Sequence, residues 1–215
     1  MTGGTPRRLD LRRQYQTLYR PSARAVELVD VPELLFLAID GRTEAGVGPG
    51  ESEEFAAATA ALYGLGYGLK FMSKQRRVDP IDYKVMGLEG LWSTESGIFE
   101  WGRREPWLYT LIMMQPDHID AAMLAEAVTH IAKKRPNPAV AEVRLQRWEE
   151  GPSLQVMHIG PYSEEPRSLD MLDRYAAENG LEMHGRHHEI YLGDPRKAKP
   201  ENLKTILRHP VKPPA

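Results

Sequence analysis

Apolar runs separated by polar turns divide the chain into short strands and amphipathic helices. The first strong run, Leu34 to Ile39, is closed by Asp40-Gly41, which is typical of a buried strand. Ser52 then precedes a segment whose apolar side chains recur at helical spacing as far as Lys74, and a serine in that position predicts an N-cap. A buried strand followed by a long helix therefore opens the first folded unit.

The long predicted helix has two unusual features. Tyr63, Tyr67 and Phe71 form an aromatic stripe at positions i, i+4 and i+8. Three glycines lie between residues 64 and 68, and each weakens a helix by about 1 kcal/mol relative to alanine. We therefore expect another backbone to pack closely on this helix.

Two strands and a second helix complete the first half. Residues Tyr83 to Trp92 and Trp107 to Gln115 are predicted to be antiparallel neighbours, joined by a polar connection from Ser93 to Glu105. Asp117 is expected to cap a helix that ends at a basic turn before Pro136.

The second half is predicted to repeat this order of elements. Residues Val140 to Glu149 and Ser153 to Gly160 suggest a hairpin, and a helix follows from about Glu164 to Asn179. The last two predicted strands are His187 to Leu192 and Leu203 to Val211.

The two halves together suggest a duplication. The first repeat covers about residues 31–116 and the second about residues 140–212, and each is a strand–helix–strand–strand unit. Two such units predict an α+β fold with one antiparallel sheet system and its helices on one side. A central cleft where the halves meet is the expected ligand site.

Composition excludes several classes of protein. The chain has 28 Lys and Arg against 30 Asp and Glu, and it has no cysteine, so disulfides, thiolate zinc sites and a cysteine nucleophile are ruled out. The polar start shows no secretory signal, and no apolar run approaches the ~20 residues that span a bilayer. We expect a soluble cytoplasmic protein without a membrane partner.

Nucleic acid and cofactors are also not expected. The near-neutral charge gives no overall footprint for nucleic acid, and the one basic cluster (Arg7, Arg8, Arg12, Arg13) is interpreted as a solvated arm. No phosphate-binding loop or dinucleotide motif is present. His187 and His188 point to opposite faces of a strand, which disfavours a metal site near them.

Glu189 and Tyr191 are the candidate catalytic residues. Side chains alternate along a strand, so these two share one face, and they face the cleft if Ile190 and Leu192 face the helices. An acid in a poorly hydrated aromatic cleft suits two tasks, because it can bind a lipophilic cation or act as a general base on water. The alternative is a solvated sheet face on which Glu189 pairs with an arginine.

Aromatic and methionine side chains are candidates for the walls of the cleft. The candidate ligand-binding residues are Trp92, Trp107, Tyr67, Phe71, Met113 and Met157. Methionine adapts to irregular apolar ligands and large aromatics hold planar ones, but both residue types are also common in cores.

Several blocks of the chain are similar to one known family. They include Leu88 to Trp92 (Leu-Glu-Gly-Leu-Trp), Gln155 to Tyr162, His188 to Arg196 and Pro200 to Arg208. The chain resembles the GyrI-like (gyrase-inhibitor-like) small-molecule-binding family, which also supplies the effector domains of multidrug-sensing activators. It resembles the stand-alone subgroup most, and the resemblance spans nearly all of residues 1–215 as a single domain.

The resemblance implies two pseudo-symmetric units and a cleft for lipophilic, often cationic or aromatic, compounds. It also implies that some stand-alone members hydrolyse cyclopropane-containing natural products that alkylate DNA. Glu189 and Tyr191 match the family's His-Glu-Ile-Tyr-Leu motif, and Trp92 and Trp107 correspond to pocket walls. Ser93 and Gly87 depart from the Trp and Pro of many relatives, which affects the expected shape of the ligand.

Two functions remain open at this point. The chain either binds lipophilic or cationic small molecules without changing them, or hydrolyses strained electrophiles with water activated by Glu189. A third possibility, a protein that shields another macromolecule, has no supporting feature in the sequence. About 30 residues precede the first strand, too few for a helix-turn-helix module, so DNA binding is not expected.

Overall fold

The computed structural model describes residues 5–95, 106–134 and 136–214. The helices are α1 (Leu11–Gln14), α2 (Gln16–Tyr19), α3 (Glu53–Lys74), α4 (Ala121–Lys134) and α5 (Pro166–Glu178). The strands are β1 (Arg7–Leu9), β2 (Glu27–Val31), β3 (Leu34–Arg42), β4 (Ile81–Tyr83), β5 (Glu89–Thr94), β6 (Trp107–Gln115), β7 (Arg144–Trp148), β8 (Gly151–Ile159), β9 (Glu182–Met183), β10 (His187–Tyr191) and β11 (Lys204–Lys212).

One large antiparallel sheet organises the described chain. Its strand order is β2-β8-β11-β10-β5-β6-β3-β7, with β9 paired to β11. The order is symmetric about its centre, where β5 and β10 pair. On either side of that pair, each strand of the first half has a counterpart in the second: β6 and β11, β3 and β8, and β7 and β2 occupy equivalent places. The predicted α+β class with pseudo-symmetric units is confirmed.

The edge strands are exchanged between the halves. β2 precedes β3 in the chain but pairs with β8 of the second half, and β7 precedes β8 but pairs with β3 of the first half. Each half therefore completes the sheet of the other.

Both long helices of the repeats cover one face of the sheet, here called the helix face. α3 packs on β3 and β6, and Leu62, Leu65 and Leu69 of this helix are fully buried. α5 packs on β8 and β11 through Leu172 and Ala176. The helix face of β5 and β10 lies between these two packed layers.

Residues 10–21 cover the opposite face of the sheet, here called the N-terminal face. Leu11, Leu18 and Tyr19 of this segment are buried, and the Leu18 carbonyl accepts a hydrogen bond of 2.6 Å from Arg208 of β11. The sequence pattern predicted no element before residue 30, because these three apolar side chains are spread among charged ones.

The central region of the first half differs from the prediction. The single strand expected over Tyr83 to Trp92 is two strands, and β4 leaves the main sheet to pair in parallel with β1. Gly87 lies between them, where an added Cβ would come within 2.7 Å of the Tyr191 carbonyl oxygen. The connection predicted over Ser93 to Glu105, including Trp101, lies largely outside the described residues.

The predicted hairpin around residue 151 is wrong. β7 and β8 follow each other in the chain, but they pair with β3 and with β2 and β11 respectively. Gly151, with a φ of 70°, begins β8 at the point where the chain passes from one half to the other.

Two helix predictions are also corrected. Asp117 does not cap α4, since that helix begins at Ala121 and the Asp120 carboxylate accepts the Met123 N–H at 2.8 Å. The α3 glycines face side chains, not another backbone, with Ile131 of α4 beside Gly68. Their lack of a Cβ therefore admits bulky side chains. The Ser52 cap is confirmed, because its hydroxyl accepts the Phe55 N–H.

None of the helices in the described part of the chain has the length and apolar character needed to cross a bilayer.

Candidate functional site

Glu189 and Tyr191 lie on the helix face at the centre of the sheet. The pairing of β10 with β5 places Glu189 opposite Gly90 and His187 opposite Trp92. The condition that Ile190 faces the helices is not met, because Ile190 is buried on the N-terminal face and Glu189 lies on the helix face. Side chains on both faces of β10 are largely buried, so the pattern of apolar residues does not show which face meets the helices.

The paired strands β5 and β10 form the boundary between the two halves, here called the seam, and a row of polar contacts crosses it. The Trp92 indole N–H donates to the Tyr191 hydroxyl at 3.1 Å, and that hydroxyl donates to Oε2 of Glu189 at 2.7 Å. His187 Nε2 lies 3.5 Å from the other carboxylate oxygen, Oε1. We call Trp92, Tyr191, Glu189 and His187 the Glu189 row.

Gly90 makes room for the row. A Cβ at this position would lie 2.6 Å from the Trp92 indole nitrogen, so the ring folds over the bare backbone of Gly90. The absence of a side chain here places the indole N–H within reach of Tyr191.

A second carboxylate, Glu165, adjoins the row from the start of α5. Its side chain is buried, with the residue only 1% exposed, and Oε1 makes no hydrogen bond to any described residue. Burial and the negative charge of Glu189 raise the pKa of Glu165 to about 9, against the opposing effect of a hydrogen bond with Thr205. Glu165 therefore keeps its proton at neutral pH.

Two tyrosines, Tyr162 and Tyr191, lie close enough to these carboxylates for their pKa values to be affected. The Tyr162 ring packs edge-on against Tyr191 at 6.0 Å. Burial and the charge of Glu189 raise the pKa of Tyr162 to about 12 and that of Tyr191 well above its ordinary value. Both hydroxyls therefore keep their protons at neutral pH, and that of Tyr191 donates to Glu189.

Aromatic rings extend the site from Trp92 into the first half. The Trp92 ring stacks on Phe55 at 5.9 Å and meets Trp107 and Tyr109 edge-on at 5.7 Å each. Such edge-to-face and stacked contacts fix the rings beyond the effect of burial alone. The row therefore ends in a rigid aromatic wall.

The structure divides the residues predicted to bind ligand into three groups. Trp92 belongs to the Glu189 row, and Trp107 packs against Trp92, farther from the carboxylate. Met113 is fully buried beneath α3, with its sulfur against Gly66, and so belongs to the core. Tyr67 and Phe71, at 51% and 53% exposure, lie on the outer side of α3, and Met157 faces the opposite side of the sheet.

The N-terminal face carries a separate network of buried charges. His188 lies between Glu150 and Glu89, at 3.0 and 3.1 Å, and Arg208 also bonds to Glu150. Burial lowers the pKa of His188, but the two carboxylates outweigh it and raise the value. With every charge paired, this network ties β10 to β5 and β11.

No cluster of three or more metal-ligating side chains occurs within residues 5–95, 106–134 and 136–214. The histidines of β10 confirm the strand geometry: His187 contacts Glu189 on the helix face, whereas His188 contacts Glu150 on the other.

Sequence reasoning missed Glu165 and Tyr162. Both lie in the turn before α5, where an acidic residue ordinarily serves the helix N-terminus at the surface. Only the fold brings this turn over β10, and no local pattern indicates that packing.

Comparison with known proteins identifies the family to which this chain belongs. Residues 113–212 match the model of the GyrI-like small molecule binding domain. No curated protein matches the chain. The chain belongs to the GyrI-like family.

Solved structures from Listeria innocua resemble the whole chain. An uncharacterized conserved protein is 38% identical with a TM-score of 0.85, covering 95% of this chain and 100% of that one. Two proteins named as hydrolases are each 35% identical, with TM-scores of 0.81 and 0.83. They cover 95% and 96% of this chain and all of their own.

Proposed function

We propose that this protein is a hydrolase of lipophilic, electrophilic small molecules. The observation that carries the proposal is the pair of adjoining buried carboxylates: Glu189 accepts the Tyr191 hydrogen bond, and Glu165 beside it has a pKa raised to about 9 by burial and by the charge of Glu189. One group that accepts a proton beside one that donates a proton is the arrangement that general acid–base hydrolysis requires. The similarity to two Listeria proteins named as hydrolases supports the same reaction class.

The proposed substrate is a planar aromatic compound with a strained cyclopropane conjugated to a carbonyl. Glu189 takes a proton from water, and the water oxygen forms a bond to the less hindered cyclopropane carbon. The bond between that carbon and the ring carbon attached to the conjugated system breaks, and its electron pair moves through the conjugated system to the carbonyl oxygen. Glu165 gives its proton to that oxygen, so the product is the substrate plus one water.

The remaining residues of the site position these groups. The Tyr191 hydroxyl orients the Glu189 carboxylate through its 2.7 Å hydrogen bond. The buried Trp92 ring holds the Tyr191 hydroxyl in place through its N–H, and the partly exposed Trp107 ring, which packs edge-on against Trp92, is the apolar surface available to a planar substrate. Because relief of ring strain drives the reaction, one base and one acid suffice, and the result is detoxification of an alkylating agent.

The test is a mass-spectrometric assay of a cyclopropane-bearing planar aromatic compound with wild-type protein and variants. We expect wild type to add one water, Glu189→Gln to bind the compound without converting it, and Glu165→Gln to convert it slowly. Glu201→Gln, which removes an exposed acid, is the matched control and retains wild-type turnover. Unimpaired turnover by Glu189→Gln contradicts the assignment.

The second candidate is a module that binds lipophilic cations without converting them. The observation that favours it is the 5% exposed carboxyl group of Glu189 close to the ring of Trp92, since aromatic rings and a buried carboxylate together attract such cations. It predicts recovery of unchanged compound from wild type, and loss of binding to an aromatic cation in Glu189→Gln.

A further inference from the structure

A cavity of about 690 Å³ lies outside the Glu189 row. It is bounded by residues 10–21, by the segment before β5, and by the ends of β10 and β11. Its volume is in the range of sites for drug-sized molecules. Met157, which faces away from Glu189, is one of its lining residues.

The lining of this cavity has two chemically distinct parts. Tyr19 and Met86 are buried and Val85, Met157 and Leu192 are partly buried, so the inner wall is mainly apolar. The exposed rim is cationic, and it consists of Arg12, Arg13, Arg20, Lys84 and Lys204. The inner wall suits a hydrocarbon or aromatic body, whereas the rim suits an anionic head.

The positive charge of the rim is mostly uncompensated. Lys84 pairs with Asp10 at 2.6 Å, the one carboxylate in the lining. The other four cations have no carboxylate within 4.0 Å among the residues that the structure describes. Four like charges around one cavity mouth attract a counter-ion, and the potential is focused by the apolar wall behind them.

We propose that this cavity is a second small-molecule site, which takes amphipathic organic anions. A carboxylate, sulfonate or phosphate head contacts Arg12 and Arg20 at the rim, and the apolar body lies against Met86 and Met157. The site is opposite in charge preference to the row around Glu189. Single-stranded nucleic acid fits less well, because its binding surfaces expose aromatic rings for base stacking, whereas Tyr19, the one aromatic residue in the lining, is buried and bonded to Glu89.

The test is calorimetric titration of the full chain with decanoate. We expect wild type to bind one decanoate, and Arg12→Gln combined with Arg20→Gln to weaken binding about tenfold or more, because two charge-assisted contacts are lost. Arg24→Gln combined with Arg174→Gln removes two exposed arginines outside the cavity at equal net charge, so it stays within about twofold of wild type.

A second pair of variants tests the apolar wall and separates this site from the first. Met157→Gln is expected to weaken decanoate binding, whereas Glu189→Gln binds it as wild type does, whether or not the proposed hydrolase activity is found. Equal affinity of the two double-arginine variants overturns the proposal. So does binding of inorganic phosphate or a single-stranded oligonucleotide as tightly as decanoate, since the apolar wall would then contribute nothing.

Discussion

At the residue scale, the Tyr191 hydroxyl joins the two halves of the site. It accepts a hydrogen bond from Trp92 of β5 and donates one to Glu189 of β10. A single buried oxygen thus satisfies a donor from the first half and an acceptor from the second. Both partners lose their contact if that oxygen is removed.

Tyr191→Phe is therefore expected to lower the free energy of unfolding by about 1–3 kcal/mol, the usual cost of leaving buried polar groups unpaired. Urea unfolding followed by circular dichroism measures the change. Tyr67→Phe removes a hydroxyl from a half-exposed ring on α3 and should stay within about 0.5 kcal/mol of wild type. Equal losses in both variants would show that the Tyr191 contacts do not matter to stability.

Glu165 gives stability a pH dependence whose sign follows from its raised pKa. Between its ordinary value near 4.5 and about 9, the folded chain holds this proton and the unfolded chain releases it. Stability conferred by the proton is complete below pH 4.5 and is lost as the pH rises toward 9, by up to about 1.4 kcal/mol per pH unit.

Glu165→Gln removes this dependence, so its stability relative to wild type should increase steadily from pH 5 to pH 9. Urea midpoints measured across that range give the difference directly. The exposed control Glu201→Gln should follow wild type throughout. A constant offset between Glu165→Gln and wild type would mean that Glu165 is ionised in the folded protein.

Part of this site follows from the sequence and part does not. Strand alternation alone places Glu189 and Tyr191 on one face, because it depends only on local backbone geometry. Glu165 comes from another element and joins them only through packing. The face on which Ile190 lies was left open by the sequence, because the polar N-terminal segment that buries it has no clear apolar pattern.

At the element scale, local patterns predicted α3, β3 and β6 well. A helix cap, helical periodicity and short apolar runs are all encoded within a few neighbouring residues. Strand partners are not, and for that reason the β7–β8 hairpin was wrong. β7 could pair with β8 in a hairpin or with β3 of the other half. Which of these forms depends on which strand edges are unpaired elsewhere in the sheet, and no residue near Gly151 specifies that.

The β5–β10 seam depends on the bare backbone of Gly90. Gly90→Ala places a methyl group 2.6 Å from the Trp92 indole nitrogen, so the ring must move away from Tyr191. We expect a changed near-ultraviolet circular dichroism spectrum and a loss of about 1–3 kcal/mol in stability, as for other overpacked cores. Gly48→Ala, whose added Cβ meets nothing within 4 Å, should change neither.

At the scale of the whole molecule, the exchanged edge strands make the halves interdependent. β2 completes the second half and β7 the first, while β5 and β10 are paired between them. The His188 network adds buried charges across the same seam, joining Glu89 of β5 to Glu150 at the start of β8. Neither half retains all its sheet contacts if the other unfolds.

This interdependence predicts how damage at one edge spreads. Val31 in β2 is 3% exposed and pairs with Gly151 of β8, so Val31→Ala should cost on the order of 1–2 kcal/mol of stability. Hydrogen exchange resolved by mass spectrometry then reports where protection falls. We expect equal losses in β8 and β11 and in β3 and β6, since the slowest amides of both halves exchange by the same global unfolding.

Leu28→Ala is the matched control for that experiment, because Leu28 lies on the same strand but is 53% exposed. It should leave protection in both halves nearly unchanged. Loss confined to β8 and β11 in Val31→Ala would mean that the halves unfold separately. In that case the β5–β10 pairing that holds Glu189 would be lost whenever either half unfolds. An equal loss of protection in both halves instead means that the site stays folded as long as the whole sheet does.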